Sequence, residues 1–277
     1  MTERRVALVT GSTDGIGRAT ARALAAGGMA VILHGRTKLK VDAALAALRE
    51  ELPGADLEGV SFDLGSLAGV RRGAEQILAR APALHVVINN AGIFAGERVV
   101  TEDGIELTFA VNHVGPFLLT QLLAPRLEAS ASSGSDSLPS RVINIASIAH
   151  TRGRIQLEDL TLATGWSGYA AYAMSKLASV MHAMTLAERH AADRLVAYSL
   201  HPGIVSTKLL RQGFGPVAGV APELGARTAV RLAGEGAASA PSGSYFSDGV
   251  QTQPAASARD AAIRQALWDA SLRLAKL

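Results

Sequence analysis

The chain alternates short apolar runs with longer stretches whose apolar residues recur at helical spacing. Val6 to Val9 is a short buried strand that meets a glycine-punctuated turn, after which Ile16, Ala19, Ala23 and Leu24 share one helical face. Gly27-Gly28 closes that helix, Ala30 to Leu33 reads as a second strand ending at His34-Gly35-Arg36, and Val41, Leu45, Leu48 and Leu52 mark a helix stopped by Pro53-Gly54. A strand ending at Phe62-Asp63-Leu64, a helix from about Ser66 and a strand from His85 to Ile88 continue the alternation. A long helical segment from about Asp103 to Leu127 contains Asn112 and Pro116, and the proline predicts a bend or local break. Ala129 to Ser140 is rich in serine and reads as a surface loop inserted within a domain. The remainder predicts a strand Arg141 to Ser147, a helix Tyr169 to His190, a strand Val196 to Leu200, an irregular piece to about Pro222 and a helix to about Gly234. A short strand near Tyr245-Phe246 and a C-terminal helix over about 258–276, with Ile263, Leu267, Ala270 and Leu274 inward, complete the chain.

Strict strand and helix alternation predicts a single α/β domain over residues 1–277. Its core would be one doubly wound parallel sheet of about seven strands with helices on both faces. Composition sharpens this: 48% of residues are hydrophobic but only 4% aromatic, so Ala, Val, Leu and Ile must fill the core, as in sheets covered on both sides. The net charge of +3 is too small and too dispersed to argue for nucleic acid. With no cysteine, disulfides, thiol catalysis and thiolate-held metals are excluded, and the seven histidines have no metal-ligand spacing, so no metal is expected. The apolar run after the first charges is too short for a signal peptide, and no apolar stretch approaches the ~20 residues of a membrane span. A cytoplasmic chain without a membrane partner is the expectation.

Three places could carry chemistry. Gly11, Gly15 and Gly17 stand in a strand-to-helix turn, where free N–H groups and the helix dipole make a site for a phosphate, although their GxxxGxG spacing is not GxGxxG. Tyr172 and Lys176 lie four apart on a predicted helix, so an ammonium stands one turn from a phenol and would lower its pKa from about 10. Tyr169 is a rival, seven before Lys176, but two turns separate that pair by ~10 Å. Ser147 ends a buried strand at the carboxyl edge of the sheet, where ligands of open parallel sheets bind, and its hydroxyl can serve an oxygen that gains negative charge.

Thr10 to Gly17, Asn89-Asn90-Ala91-Gly92, Asn112, Ser147, Tyr172-x-x-x-Lys176 and Pro202-Gly203 follow one another as in the short-chain dehydrogenases/reductases, a Rossmann-fold family that the chain resembles over nearly its whole length. It is most similar to the retinol-dehydrogenase-like branch, through Asn144-Ile145-Ala146-Ser147-x-x-His150, the long gap from Ser147 to Tyr172, Ser175-Lys176-Leu177-Ala178, and the ending Tyr245-Phe246…Leu267-Trp268. Ala146 departs from the branch, which usually has a second serine there, and the N-terminal membrane anchor of many retinoid enzymes has no counterpart.

The resemblance implies that Tyr172 is the proton donor, Ser147 its partner on the substrate oxygen, and Lys176 the group that tunes the tyrosine and holds the nicotinamide ribose. Asn112 would order a water that feeds protons to Lys176. Gly11, Ser12, Asp14, Gly15, Ile16 and Gly17 would line the cofactor turn, Asp63 and Leu64 the adenine, and Asn90, Ala91 and Gly92 the adenosine side. Pro202, Gly203, Val205 and Thr207 would cradle the nicotinamide. Where an acidic residue would select NAD, the chain has Arg36 with Lys38 and Lys40 nearby, which points to the 2′-phosphate of NADP(H). Arg36 stacked on adenine remains open, and Asp14 argues against added negative charge. Residues 208–222, with Leu209, Leu210, Phe214, Val217 and Val220, read as a lid over an apolar substrate or as an ordinary connection.

The function implied is NADP(H)-dependent hydride transfer to or from the carbonyl or alcohol of a hydrophobic small molecule. A non-redox enzyme on the same fold (cyclase or epimerase) and a silent NADP-binding sensor are the alternatives. Homo-oligomers paired through the helices that carry Asn112 and Tyr172 are expected from the resemblance.

Overall fold

The computed structural model describes residues 4–131, 138–234 and 240–277. Eight strands form one sheet in the order β3-β2-β1-β4-β5-β6-β7-β8. They are β1 Val6–Val9, β2 Ala30–Gly35, β3 Leu57–Ser61, β4 Val86–Asn89, β5 Ser140–Ile145, β6 Leu195–His201, β7 Tyr245–Ser247 and β8 Val250–Thr252. Neighbours from β3 to β7 pair in parallel, while β7 and β8 form an antiparallel hairpin. The eighth strand is the one the apolar pattern does not announce, because all three of its residues are exposed and Asp248-Gly249 turns the chain within two residues. The order reverses between β1 and β4, and the crevice at that switch point is where ligands of such sheets bind.

The helices α1 Gly15–Ala26, α2 Lys38–Glu51 and α3 Leu67–Arg80 follow the pattern closely. The next does not run unbroken. It begins as α4 Leu107–Phe109, passes through a π-turn at Ala110–Val114 and continues as α5 Gly115–Ser130. Pro116 stands in the first turn of α5, where a missing N–H costs little, so the break falls just before it and contains Asn112. Together these residues make a helical run of 24, Leu107–Ser130, long and apolar enough to cross a membrane, which corrects the expectation that no such stretch exists. In this fold 83% of its most apolar window is buried, as befits a core helix. Part of the Ala129 to Ser140 loop, residues 132–137, lies outside the described residues.

The other helices are α6 Gly168–Arg189, α7 Lys208–Phe214, α8 Pro222–Ala233, α9 Ala256–Arg259 and α10 Ala261–Ala275. α6 is buried on every side from Ala171 to Ala183, between the sheet, the α4 and π-turn part of the broken helix, and α10. Trp268 of α10 packs edge-on against Phe117 of α5 at 4.9 Å, and the Arg189 guanidinium covers its ring at 4.4 Å. His113 meets Ser271, and Arg71 reaches the carbonyls of Ala275 and Lys276. The helices that carry Asn112 and Tyr172, expected to pair with a second copy, are thus sheathed by the chain's own C-terminal helix.

Trp268→Ala removes this wedge and should destabilise the fold by about 3–5 kcal/mol, read as a lower urea midpoint at unchanged slope. A change of less than about 1 kcal/mol would mean that α10 adds little to the core.

Candidate active site

The glycine turn is held from below and from the side. His34 accepts from the N–H of Gly11 at 3.1 Å through Nδ1 and therefore donates through Nε2 to the carbonyl of Phe62, at 3.1 Å. Burial pushes its pKa down to about 4, so it is neutral and serves as a fixed strut. From the side, Asn90 donates to the carbonyls of Thr10 and Gly11 at 2.8 and 3.2 Å. A Cβ on Gly11 would lie 2.8 Å from Cα of Ala91, so only glycine admits the loop after β4 this close. Gly17 is likewise pressed on the turn, where a Cβ would come within 2.3 Å of Asn90 Nδ2 and the carbonyl of Gly11.

The sequence-derived residues separate here into two groups. Asp14 caps α1 through Gly15 and pairs with Lys208 at 2.6 Å, while Arg36 is exposed at the end of β2 and has no ion-pair partner among the described residues. Asp63 turns back on the N–H of Gly65, with Leu64 buried beside it. Ser12, by contrast, is buried and bonded to the backbone N–H of His34, so its hydroxyl supports the turn from within. Ile16 lies near Val205 at Gly225 of α8, and Thr207, which caps α7, sits against Gly15. Pro202 and Gly203 follow β6 directly.

The second group meets at the carboxyl ends of β4 and β5. Tyr172 is only 5% exposed and lies close enough to Ser147 for its hydroxyl to act on the phenol, whereas Tyr169 is 42% exposed, so of the two tyrosines Tyr172 is the one turned into the fold. Ser147 also receives the N–H of Ala149, so it caps the following turn and faces Tyr172 at once. His150 holds that turn: its Nε2 accepts from Ala255, so Nδ1 donates to the carbonyl of Ser147 at 2.8 Å. The Lys176 ammonium donates to the carbonyl of Ile145 at 2.8 Å and stands 5.6 Å from the centre of the Tyr172 ring. A Cβ on Gly92 would lie 3.4 Å from both Lys176 Nζ and Asn112 Oδ1. Asn112 grips the loop after β4 in both directions, accepting from Ile93 N–H and donating to Ile93 carbonyl and Ser175. Both protons of its Nδ2 are engaged, which leaves the second lone pair of Oδ1 and the backbone carbonyl as the acceptors that could order a water.

The electrostatics differ from the expectation of a lowered tyrosine. Burial pushes the Tyr172 phenol up to about 12, with the nearby Ser147 hydroxyl opposing, and burial pushes Lys176 down to about 8. Desolvation is the largest cause for both groups, so the phenol keeps its proton at neutral pH.

Sequence reasoning missed Phe94. It wedges between Gly168 and Gly213, with its ring 5.6 Å from both Tyr172 and Phe214. Phe214 in turn stands 5.8 Å from Tyr172 and 6.3 Å from Tyr169, so α7 roofs the phenol with aromatic rings. A single phenylalanine in a loop carries no periodic signal.

The family model described as short chain dehydrogenase matches residues 5–214. The chain belongs to that family. It is 37% identical over 282 residues to the polyprenol dehydrogenase of Mus musculus, covering 98% of this chain and 83% of the relative. To retinol dehydrogenase 12 of Homo sapiens it is 36% identical over 279 residues, covering 98% and 86%. A solved short chain dehydrogenase from Shigella flexneri, complexed with NADP, superposes with a TM-score of 0.68 at 26% identity, covering 88% of this chain and 96% of that one. This short chain dehydrogenase is therefore an oxidoreductase of the retinol-dehydrogenase-like branch, using a nicotinamide cofactor. A cyclase, epimerase or silent sensor is not favoured.

The buried imidazoles make a pH prediction. His34 is lowered to about 4, His113 to about 3, and His182 lies well below its ordinary value, all mainly through burial. Below pH ~6.5 the unfolded chain takes up protons that the folded chain refuses, so stability falls with pH by up to ~1.4 kcal/mol per unit for each histidine. Urea midpoints at pH 7, 6 and 5 should decrease in that order, and a flat series would show that these rings protonate freely in the fold.

Proposed function

We propose that the protein interconverts a hydrophobic alcohol and its carbonyl compound with NADP(H), Tyr172 passing the proton. The observation that carries this reading is the burial of Tyr172 beside Ser147 at the carboxyl end of β5, with the Lys176 ammonium 5.6 Å from its ring and one helical turn away. When bound, the nicotinamide supplies or accepts the hydride. Tyr172 then donates its phenolic proton to the carbonyl oxygen, and Ser147 holds that oxygen through its hydroxyl. Lys176 binds the ribose and supports charge on the phenol as its proton leaves. Asn112 positions the loop that carries Gly92 against Lys176, and its backbone carbonyl would order the water that returns the proton.

Gly11, Asp14, Gly15, Ile16 and Gly17 are proposed to take the pyrophosphate at the N-terminus of α1, with Ser12 as their internal support. Asp63, Leu64, Asn90, Ala91 and Gly92 would flank the adenosine half, and Pro202, Gly203, Val205 and Thr207 the nicotinamide. Preference for NADP(H) rests on Arg36, an exposed guanidinium without an ion-pair partner among the described residues, where a carboxylate would favour NAD. Asp14 does not oppose this, since Lys208 balances its charge.

For the substrate, Phe94, Tyr169 and Phe214 offer an aromatic surface over Tyr172, and exposed Val217 and Val220 extend it along residues 208–222. Relatives named for polyprenol and retinol are consistent with an apolar alcohol or aldehyde. α7 contributes no buried residue and is tied down by the exposed Lys208–Asp14 pair, which suits a lid that opens for substrate. Cytoplasmic location, no membrane or nucleic-acid partner and a homo-oligomer belong to the same proposal, and pairing would have to use a face other than α6.

Tyr172→Phe should abolish turnover in both directions while NADPH still binds, measured by loss of reductase activity beside an unchanged fluorescence titration. Retention of near-native rates would overturn the assignment. Arg36→Ala should raise KM for NADPH far more than for NADH, and equal effects on both would return Arg36 to a stacking role.

A further inference from the structure

Beside Asn112 lies a small polar cavity of about 10 Å³, lined by Asn89, Asn112, His113, Pro116, Asn144, Ser179 and His182. The proposed reaction makes no use of it. That volume is about what one water requires. Three of the lining residues each keep one buried polar atom without a partner among the described residues: Asn89 Oδ1, His113 Nδ1 and His182 Nε2.

The roles of these atoms follow from the surrounding bonds. The carbonyl of Ser179 can only accept, so the atom of Asn144 facing it at 2.9 Å is Nδ2. Asn144 Oδ1 then accepts from Asn89 Nδ2 at 2.9 Å, and Asn89 Nδ2 also donates to Thr120 at 3.1 Å. This fixes Asn89 Oδ1 as a free acceptor. The same Asn144 amide lies 3.3 Å from His182 Nδ1, which must accept, and a ring buried among neutral groups carries one proton, so Nε2–H is a free donor. His113 bonds through Nε2 to Ser271 at 2.8 Å and leaves Nδ1 over. One donor, one acceptor and one imidazole nitrogen able to be either are therefore left over on residues that line a space for a single water. Left unmade, these bonds would each cost more than a surface bond, because no solvent reaches them.

We infer that this cavity is a built-in water site, in which one water accepts from His182 Nε2–H, donates to Asn89 Oδ1 and bonds His113 Nδ1. The water joins β4, α6 and the π-turn that contains His113 and, next to it, Asn112. The Ser179 hydroxyl lies between the backbone carbonyls of Ser175 and Asn112, at 2.9 and 3.3 Å, with one proton to offer the two. Asn89, His113 and His182 are thus positioning residues: they touch no reacting atom but hold the irregular turn that aims Asn112 at the loop after β4. The water site stands on the fold alone, whereas its effect on rate rests on the proposed reaction.

The test has two arms. A crystal structure of the full chain, resolved finely enough to show ordered solvent, should contain one water ~2.7–3.1 Å from the three named atoms. An empty cavity, or Asn89 and His182 paired directly, would overturn the site. In the second arm, His182→Leu removes the donor and His182→Gln keeps one. His182→Leu should lower Tm by several degrees and kcat several-fold with NADPH affinity unchanged, and His182→Gln should recover most of both. Equal loss in the two variants would overturn the positioning role. Should His182→Leu fail to fold, a native-like kcat and Tm in His182→Gln supports the site, and a loss of kcat there overturns it. A water present in an enzyme without the proposed activity would refute the reaction and leave the site standing.

Discussion

The close approach of two loops at the middle of the sheet is the constraint on which the rest depends. Gly11 lies against the backbone of Ala91 at a distance no side chain would permit, and Asn90 bridges to the carbonyls of Thr10 and Gly11. Parallel pairing of β1 with β4, and of β4 with β5, brings three strand ends level, so the glycine turn, the loop after β4 and Ser147 face one crevice. Any widening here would part the dinucleotide turn from the tyrosine.

Around that contact the protein uses neutral, buried imidazoles as struts. His34 fixes the glycine turn, and His150 fixes the turn that starts at Ser147. An imidazole with one proton offers a donor and an acceptor at opposite ends of a rigid ring, which suits it to hold two backbone segments at set distance. Burial removes the charge that would otherwise make such a ring costly, and the depressed pKa values are the sign of it. The same burial explains why Tyr172 holds its proton: the ammonium of Lys176 is near, yet both groups are screened from water and each resists ionisation.

Much of the fold was legible in the chain because a parallel sheet covered on both faces leaves a plain trace, an apolar run followed by a helix-spaced stretch. Tyr172, Lys176 and Ser147 could be named because their spacing or their strand end has chemical meaning. The exposed hairpin strand Val250–Thr252 left no such trace, since an edge strand with no buried face has no alternation to read. The π-turn was visible only as a proline inside a helical pattern.

By itself the sequence determined the alternation of elements, the glycine turn and the helical turn between Tyr172 and Lys176, since each follows from residues close along the chain. Tertiary structure decided what depends on distant segments meeting: the inward side of Ser12, the grip of the Asn112 amide on Ile93 and Ser175, and Phe94 between Gly168 and Gly213. It also decided which tyrosine is buried and which way its proton equilibrium moves, because desolvation is a property of the packed surroundings and has no signature in local spacing.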